Sequence, residues 1–312
     1  MPDQAVIGPL QEADLDGAMT IVREAFGTFT GVPDLPTFWT DRDLVRSRWQ
    51  ARHVAAFAAH LDGKLAGSNF ATRWGSVGYF GPLTVRPDLW DRDIGRQLMA
   101  PVMAQFDAWQ TAHVGLFTFA ASAKHVRLYE KFGFAARFLT AVMATPAVQR
   151  GGDWHRYSAL PAERRQEALA GCRAITDAIF AGLDLGGEIE LVHALKLGDT
   201  AVIADSAGVC GFAICHHGRA SEAGDGVCLV KFAAVRPGPN AARDFDRLID
   251  ACETLAAEAG VATVMAGCNM GRSEAYRRLG NRCRTVFQGV TMHRPNEPGY
   301  SRPDAWIIDD WR

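Results

Sequence analysis

The stretch LTVRPDLWDRDIGRQ, residues 83–97, holds the pattern on which the fold turns. The apolar run from Val77 to Val85 reads as a β-strand. Arg86-Pro87 stops it, because proline has no N–H to give to an interior ladder. From Ile94 to Trp109 the period changes, with Leu98, Val102 and Phe106 on one helical face. A helix N-terminus offers unpaired N–H groups and a partial positive charge, so this strand–loop–helix is a candidate site for a pyrophosphate. Gly95 permits close backbone approach, and Arg92 and Arg96 can supply charge-assisted contacts. Taken alone the pattern is common, and both arginines also read as solvated surface residues.

Upstream, Asp14 to Phe26 has helical spacing, and two strand-like runs, His53 to His60 and Lys64 to Thr72, meet at Asp62-Gly63, a strong hairpin signal. Downstream come a strand from His113 to Ala120, a short helix from Ala123 to Phe132 stopped by Gly133, and a strand from Phe134 to Thr145. Gly151-Gly152-Asp153 marks a linker. The order then repeats. A helix from Pro161 to Phe180 precedes a hairpin, Thr200 to Ala204 with Val209 to His216. A strand from Val227 to Val235 again ends in Val-Arg-Pro, and a helix from Ala242 to Ala259 is stopped by Gly260. A strand, Ala262 to Ala266, a short helix, Arg272 to Leu279, and a strand, Thr285 to His293, complete the series. Val85-Arg86-Pro87 recurs as Val235-Arg236-Pro237, and Tyr129 in LYEKFG matches Tyr276 in AYRRLG. Recurrence of the element order around both motifs makes this a repeat on the scale of a domain. The 312 residues then divide into 1–150 and 156–312, at about 150 residues each.

The full series of strand, VRP, IGR-type loop, helix, strand and SAKHVRLYEKFGF (residues 122–134) resembles the GNAT superfamily of acetyl-CoA-dependent acyltransferases. The resemblance covers nearly all of the first half and most of the second from about Pro161. The tail, from His293 to Arg312, resembles the end of bacterial tandem GNAT proteins. The resemblance implies an α/β (α+β) fold of two tandem domains, each a central mixed, mostly antiparallel sheet flanked by helices. It also implies a splayed strand whose backbone at Leu83 and Val85 takes the pantetheine and acetyl carbonyl of acetyl-CoA. The family loop, Arg/Gln-x-x-Gly-x-Gly/Ala, corresponds to Trp90-Asp91-Arg92-Asp93-Ile94-Gly95, where only the second glycine is kept. Arg92, Ile94, Gly95 and Arg96 are thereby assigned to the cofactor. Ser122 takes the place of the family asparagine and can still donate and accept a hydrogen bond. Tyr129 matches the tyrosine that protonates the departing thiolate, and the Val85 N–H is placed for the oxyanion. In the second half Val235 and Asn269 hold the corresponding cofactor positions and Tyr276 the catalytic one. Phe245 stands there in place of Gly95, so that half reads as degenerate.

Hydrophobic residues make up 48% and charged residues 22%, with a net charge of −2, which argues against a nucleic-acid or anionic-membrane partner. The start shows no signal pattern and no apolar run reaches a spanning length, so a cytoplasmic protein, monomer or homodimer, is expected. The seven cysteines, all from Cys172 onward, show no metal or redox spacing and read as buried apolar residues; no metal site is expected. His216 and His217 are adjacent on a strand and point to opposite faces, so they cannot readily share a metal. Trp39, Trp49, Trp74 and Tyr79 read equally as acceptor-pocket wall or as core. Asp225 and Glu222 are candidates for a general base by location only, and none is assigned. The expected activity is acetyl transfer to a primary amine, on a small molecule or a protein. The alternative is a non-catalytic acyl-CoA-binding or scaffold protein of two decayed domains. The tail, with Ala305, Trp306, Ile307 and Trp311, is too apolar for a free terminus and is expected to pack across a domain or subunit surface.

Overall fold

The computed structural model describes residues 4–312. The first half runs β1 (Val6–Pro9), α1 (Leu15–Thr30), α2 (Arg46–Gln50), β2 (Val54–Leu61), β3 (Lys64–Trp74), β4 (Val77–Phe80), β5 (Thr84–Val85), α3 (Ile94–Ala108), β6 (His113–Thr118), α4 (Ala123–Glu130) and β7 (Ala135–Pro146). The second runs β8 (His155–Arg156), α5 (Ala162–Ile179), α6 (Gly186–Leu195), β9 (Gly198–Asp205), β10 (Gly208–Gly218), β11 (Gly224–Val235), α7 (Ala241–Glu258), β12 (Thr263–Asn269), α8 (Ser273–Gly280), β13 (Arg284–Arg294) and β14 (Ile307–Ile308). The expected α/β fold of two repeated halves is what the chain adopts. Among the described residues no helix is long and apolar enough to cross a membrane.

The β2–β3 hairpin turns at Asp62-Gly63, both at positive φ, as that dipeptide favours. The expected single strand from Val77 to Val85 is instead two pieces. Pro82 has no N–H for a ladder. The chain therefore leaves β6 after the pair Tyr79–Gly115 and pairs only with β3, Thr84 opposite Ser68 and Val85 opposite Gly67.

All the strands join one sheet, and its middle is built by exchange. The last long strand of the second half, β13, lies between β6 and β7 of the first half. The last strand of the first half, β7, lies between β13 and β12. Each half is thus completed by a strand of the other. Apolar residues of both halves meet in shared clusters; one joins Trp74, Val77 and Tyr79 to Ile175, Ile189, Phe212, Phe232, Ile307 and Trp311. The halves therefore share a core, and fully burying each of these side chains contributes roughly 1.5–3 kcal/mol.

Candidate active site: one open groove and one filled groove

In each half the fourth-strand position starts parallel to its neighbour and then parts from it. In the first half β4 pairs with β6 over Val77–Tyr79, and the pairing ends at Gly115. Beyond that point Leu83 and Val85, both half-buried, form one lip of a gap, and Thr118 at the end of β6 lies on the other. The Tyr129 side chain reaches this region from α4. Its ring packs edge-on against Phe80 with centroids 5.4 Å apart. Burial pushes its phenol up to about 12, while a hydrogen bond with the Thr118 side chain works the other way. A phenol held there stays protonated at neutral pH and can give a proton to a thiolate.

The α3 N-terminus stands beside this gap. A Cβ placed on Gly95 would meet only Leu128 Cδ2, at 3.8 Å, so nothing in the protein requires a glycine there. The missing side chain leaves room at the helix end, where the first N–H groups lack intrahelical partners. Asp93 caps the helix at φ 66° and takes Arg96 in a bidentate ion pair, with Arg96 Nη2 2.6 Å from its Oδ2. This hydrogen bonding holds the Asp93 carboxyl below the usual range. Lys124 pairs with Asp91 at 2.5 Å. Arg92 is exposed and Ile94 buried as the first residue of the helix. Ser122 caps α4, its Oγ accepting from the His125 N–H at 3.3 Å.

The second half has the same branch. β11 pairs in parallel with β12 over Val227–Val230 and then parts from it. Here the tail fills the gap. β14 pairs antiparallel with β11, Ile307 opposite Ala234 and Ile308 opposite Ala233. Asp309 bridges to Cys268 on β12. The Val235 N–H donates to the Trp306 carbonyl at 3.3 Å. Arg272, fully buried, donates to the Ile307 and Asp309 carbonyls at 3.1 and 2.9 Å. Asn269 donates to Ser301 Oγ at 2.7 Å. Phe245 is buried, and its ring lies 5.3 Å from that of Trp306. The groups assigned from sequence to a second cofactor site, Val235 and Asn269, are thus spent on the chain's own tail. Tyr276 is half-buried against the core of that half. The tail packs between the halves, as expected of its composition: Ile307, Ile308 and Trp311 are buried, and a Cβ on Gly115 would strike the Trp311 ring at 2.0 Å.

Other candidates resolve structurally. Trp74 and Tyr79 are core residues. Asp225 is exposed and paired with Arg219. Glu222 is buried between Arg48 and Lys231. His216 is buried, 3.8 Å from Glu188, and His217 is half-buried. Among the described residues one group, Asp205, Cys210 and Asp244, brings three possible metal ligands together. Its carboxylates are already held by Arg236 at 3.0 Å and by Arg243 and Arg247 at 3.1 Å each.

A sheet that parts beside a helix N-terminus, with a phenol at the fork, sets a strand edge and the first N–H groups of a helix next to a possible proton donor. The comparisons specify the class. Residues 21–134 match the model of the acetyltransferase (GNAT) family. Among solved structures, a putative acetyltransferase from Pyrococcus horikoshii aligns with 98% of this chain and 95% of its own, at 12% identity and a TM-score of 0.68. A GCN5-related N-acetyltransferase from Sphaerobacter thermophilus aligns with 94% and 96%, at 17% identity and a TM-score of 0.57. A tandem GNAT protein from the clavulanic acid biosynthesis pathway aligns with 93% and 98%, at 13% identity and a TM-score of 0.52. A search of curated protein sequences found no match. The first half therefore carries a GNAT acetyltransferase domain, and the whole chain has the fold of a tandem GNAT protein.

Proposed function

We propose that the chain is an acetyl-CoA-dependent N-acetyltransferase with one working groove, that of the first half. The pyrophosphate sits on the α3 N-terminus at Gly95, the pantetheine runs along Leu83 and Val85, and the thioester lies near Tyr129. The acceptor's amine nitrogen attacks the thioester carbonyl and forms the C–N bond. The C–S bond breaks, the nitrogen's proton passes to solvent, the CoA sulfur takes a proton from Tyr129, and the phenolate recovers one from solvent. The observation that carries this reading is the contrast at one position: a Cβ on Gly95 would meet nothing nearer than Leu128 Cδ2 at 3.8 Å, while in the other half the buried Phe245 ring lies tilted against Trp306, 5.3 Å between centroids. The acceptor is a primary amine, on a small molecule or a protein.

A specific feature favours a second reading, an acyl-CoA-binding scaffold without turnover. Asp91 and Asp93 already neutralise Lys124 and Arg96 at the phosphate end. Titration calorimetry of acetyl-CoA into wild type, Gly95→Trp and Ala242→Trp tests both readings. The expected result is one site per chain, lost only in Gly95→Trp. Binding with no turnover across an amine screen selects the scaffold. No binding to wild type rejects both.

A further inference from the structure

The forks of the two halves are joined by a buried chain of charges. Arg48 on α2 belongs to the first half and is 4% exposed. Its Nη1 donates to the Gly81 carbonyl, at the point where β4 leaves the sheet. Its Nε donates at 2.8 Å to Oε1 of Glu222, from the second half. The other oxygen of Glu222 accepts from Lys231 Nζ at 2.5 Å. Lys231 also donates to the backbone carbonyl of Arg312 in the tail. Lys231 follows Val230, the last residue of β11 in the parallel pairing, so it stands at the second fork as Gly81 stands at the first. The Gly81 N–H is pinned separately, on the Phe70 carbonyl at 2.9 Å. Gly81, where the first groove opens, is therefore held through both its N–H and its carbonyl, and the arginine on the carbonyl is itself held by Glu222 of the other half.

Stability alone gives no reason for this chain. Desolvating such ions costs several kcal/mol each, and a well-packed apolar replacement is often as stable. The network is not fully satisfied either: Arg48 Nη2 is buried with no partner among the described residues. Burial by itself would raise the Glu222 carboxyl, but Arg48 and Lys231 outweigh it and hold it at about 2, so the carboxylate at the middle of the link is ionised at every physiological pH.

We infer that Glu222 is a positioning residue for the first groove: through Arg48 it fixes the Gly81 carbonyl, and with it the turn into Leu83 and Val85 where the thioester end of the cofactor lies. This rests on the reading of that groove as the acetyl-CoA site. It gives the second half and its tail a task in catalysis without a cofactor of their own.

The test compares wild type, Glu222→Gln and Arg48→Lys. Arg48→Lys keeps the charge opposite Glu222 and gives up the planar fork that reaches two acceptors; it also serves if Glu222→Gln does not fold. Calorimetry is run with acetyl-CoA and with adenosine 3′,5′-bisphosphate, which has phosphates but no pantetheine. Amide hydrogen exchange is followed over residues 79–86 and, as a control, over 245–256. The expected result is a loss of about tenfold in acetyl-CoA affinity with the bisphosphate unchanged, and faster exchange confined to 79–86. Equal losses for both ligands, or exchange raised equally in both segments, would mean a merely structural link and overturn the inference. So would acetyl-CoA affinity unchanged in both variants relative to a wild type that binds, which leaves the cofactor reading standing. A wild type that does not bind acetyl-CoA overturns both.

Discussion

Val85 and Val235 end the same strand in the two halves, before the same Arg-Pro, and their surroundings differ in every respect that matters to a ligand. Val85 borders a gap beside an unfilled helix end. Val235 gives its N–H to Trp306, the first contact of a tail strand that occupies the equivalent gap. A parted sheet exposes unpaired strand edges, and buried edges must be paired. The second half pairs its edge with its own tail; in the first half Trp90 donates to the Val85 carbonyl at 2.9 Å, and on the proposed function the rest of the edge is left to the cofactor. One architecture would thus serve once as a site and once as a seam.

The seam yields the largest expected effect. The Trp311 ring fills the space above Gly115 and donates through Nε1 to the Tyr300 hydroxyl at 2.6 Å. Trp311→Ala removes a fully packed indole between the halves and should cost about 3–5 kcal/mol of unfolding free energy by denaturant titration. Acetyl-CoA stoichiometry in the folded variant should stay at one per chain. A second binding event would show that the tail merely obstructs a competent second groove, and the contrast between the halves would collapse.

The two tyrosines sharpen the same contrast at the level of chemistry. Tyr129→Phe should lower turnover about 10²-fold, the scale of a lost general acid, with acetyl-CoA affinity unchanged. Tyr276→Phe, in the filled half, should leave turnover within about twofold, since a hydroxyl away from the reacting atoms contributes little. Equal losses in the two variants would place chemistry in both halves.

Much of this was legible in the chain before any coordinates. Asp62-Gly63, the two Val-Arg-Pro stops and the glycines after the helices are local signals, and the elements they bound are present, except that the strand before the first Val-Arg-Pro is split at Pro82. What escaped is non-local. Helix α6 begins at Gly186-Gly187, a pair that looks like a turn; a Cβ on Gly187 would come within 3.0 Å of the His53 ring, so that glycine answers to close packing instead. The exchange of β7 and β13 is invisible because both halves carry the same pattern, and nothing local says which copy pairs with which. The tail's apolar residues announced burial, but not burial in a groove. Arg48 and Glu222 are 174 positions apart, and neither carries a motif.

The seam should also respond to pH. His113 and His293 lie 3.0 Å apart beneath the tail, both buried. Burial, with the nearby Arg137 charge, lowers His113 to about 4; burial and the neighbouring His113 lower His293 to about 3. On acidification from pH 6.5 the unfolded chain takes up protons that these folded imidazoles refuse, so stability falls by about 1.4 kcal/mol per pH unit for each histidine. Asp309 opposes them. Burial raises its folded value to about 6, so it contributes stability below the unfolded value of 3.8 that is lost as pH rises through 6. Carboxylates with lowered values, such as Glu222, lose their contribution only below about pH 4.5. The window from pH 6.5 to 5 therefore excludes those carboxylates, and His125 and His217, also lowered by burial, add to the fall that the pair produces. Melting temperature should fall across that window, and Asp309→Asn, which removes the opposing group, should steepen the fall. A flat profile in wild type would mean that the two histidines accept protons in place, and that the seam is wetter than its packing implies.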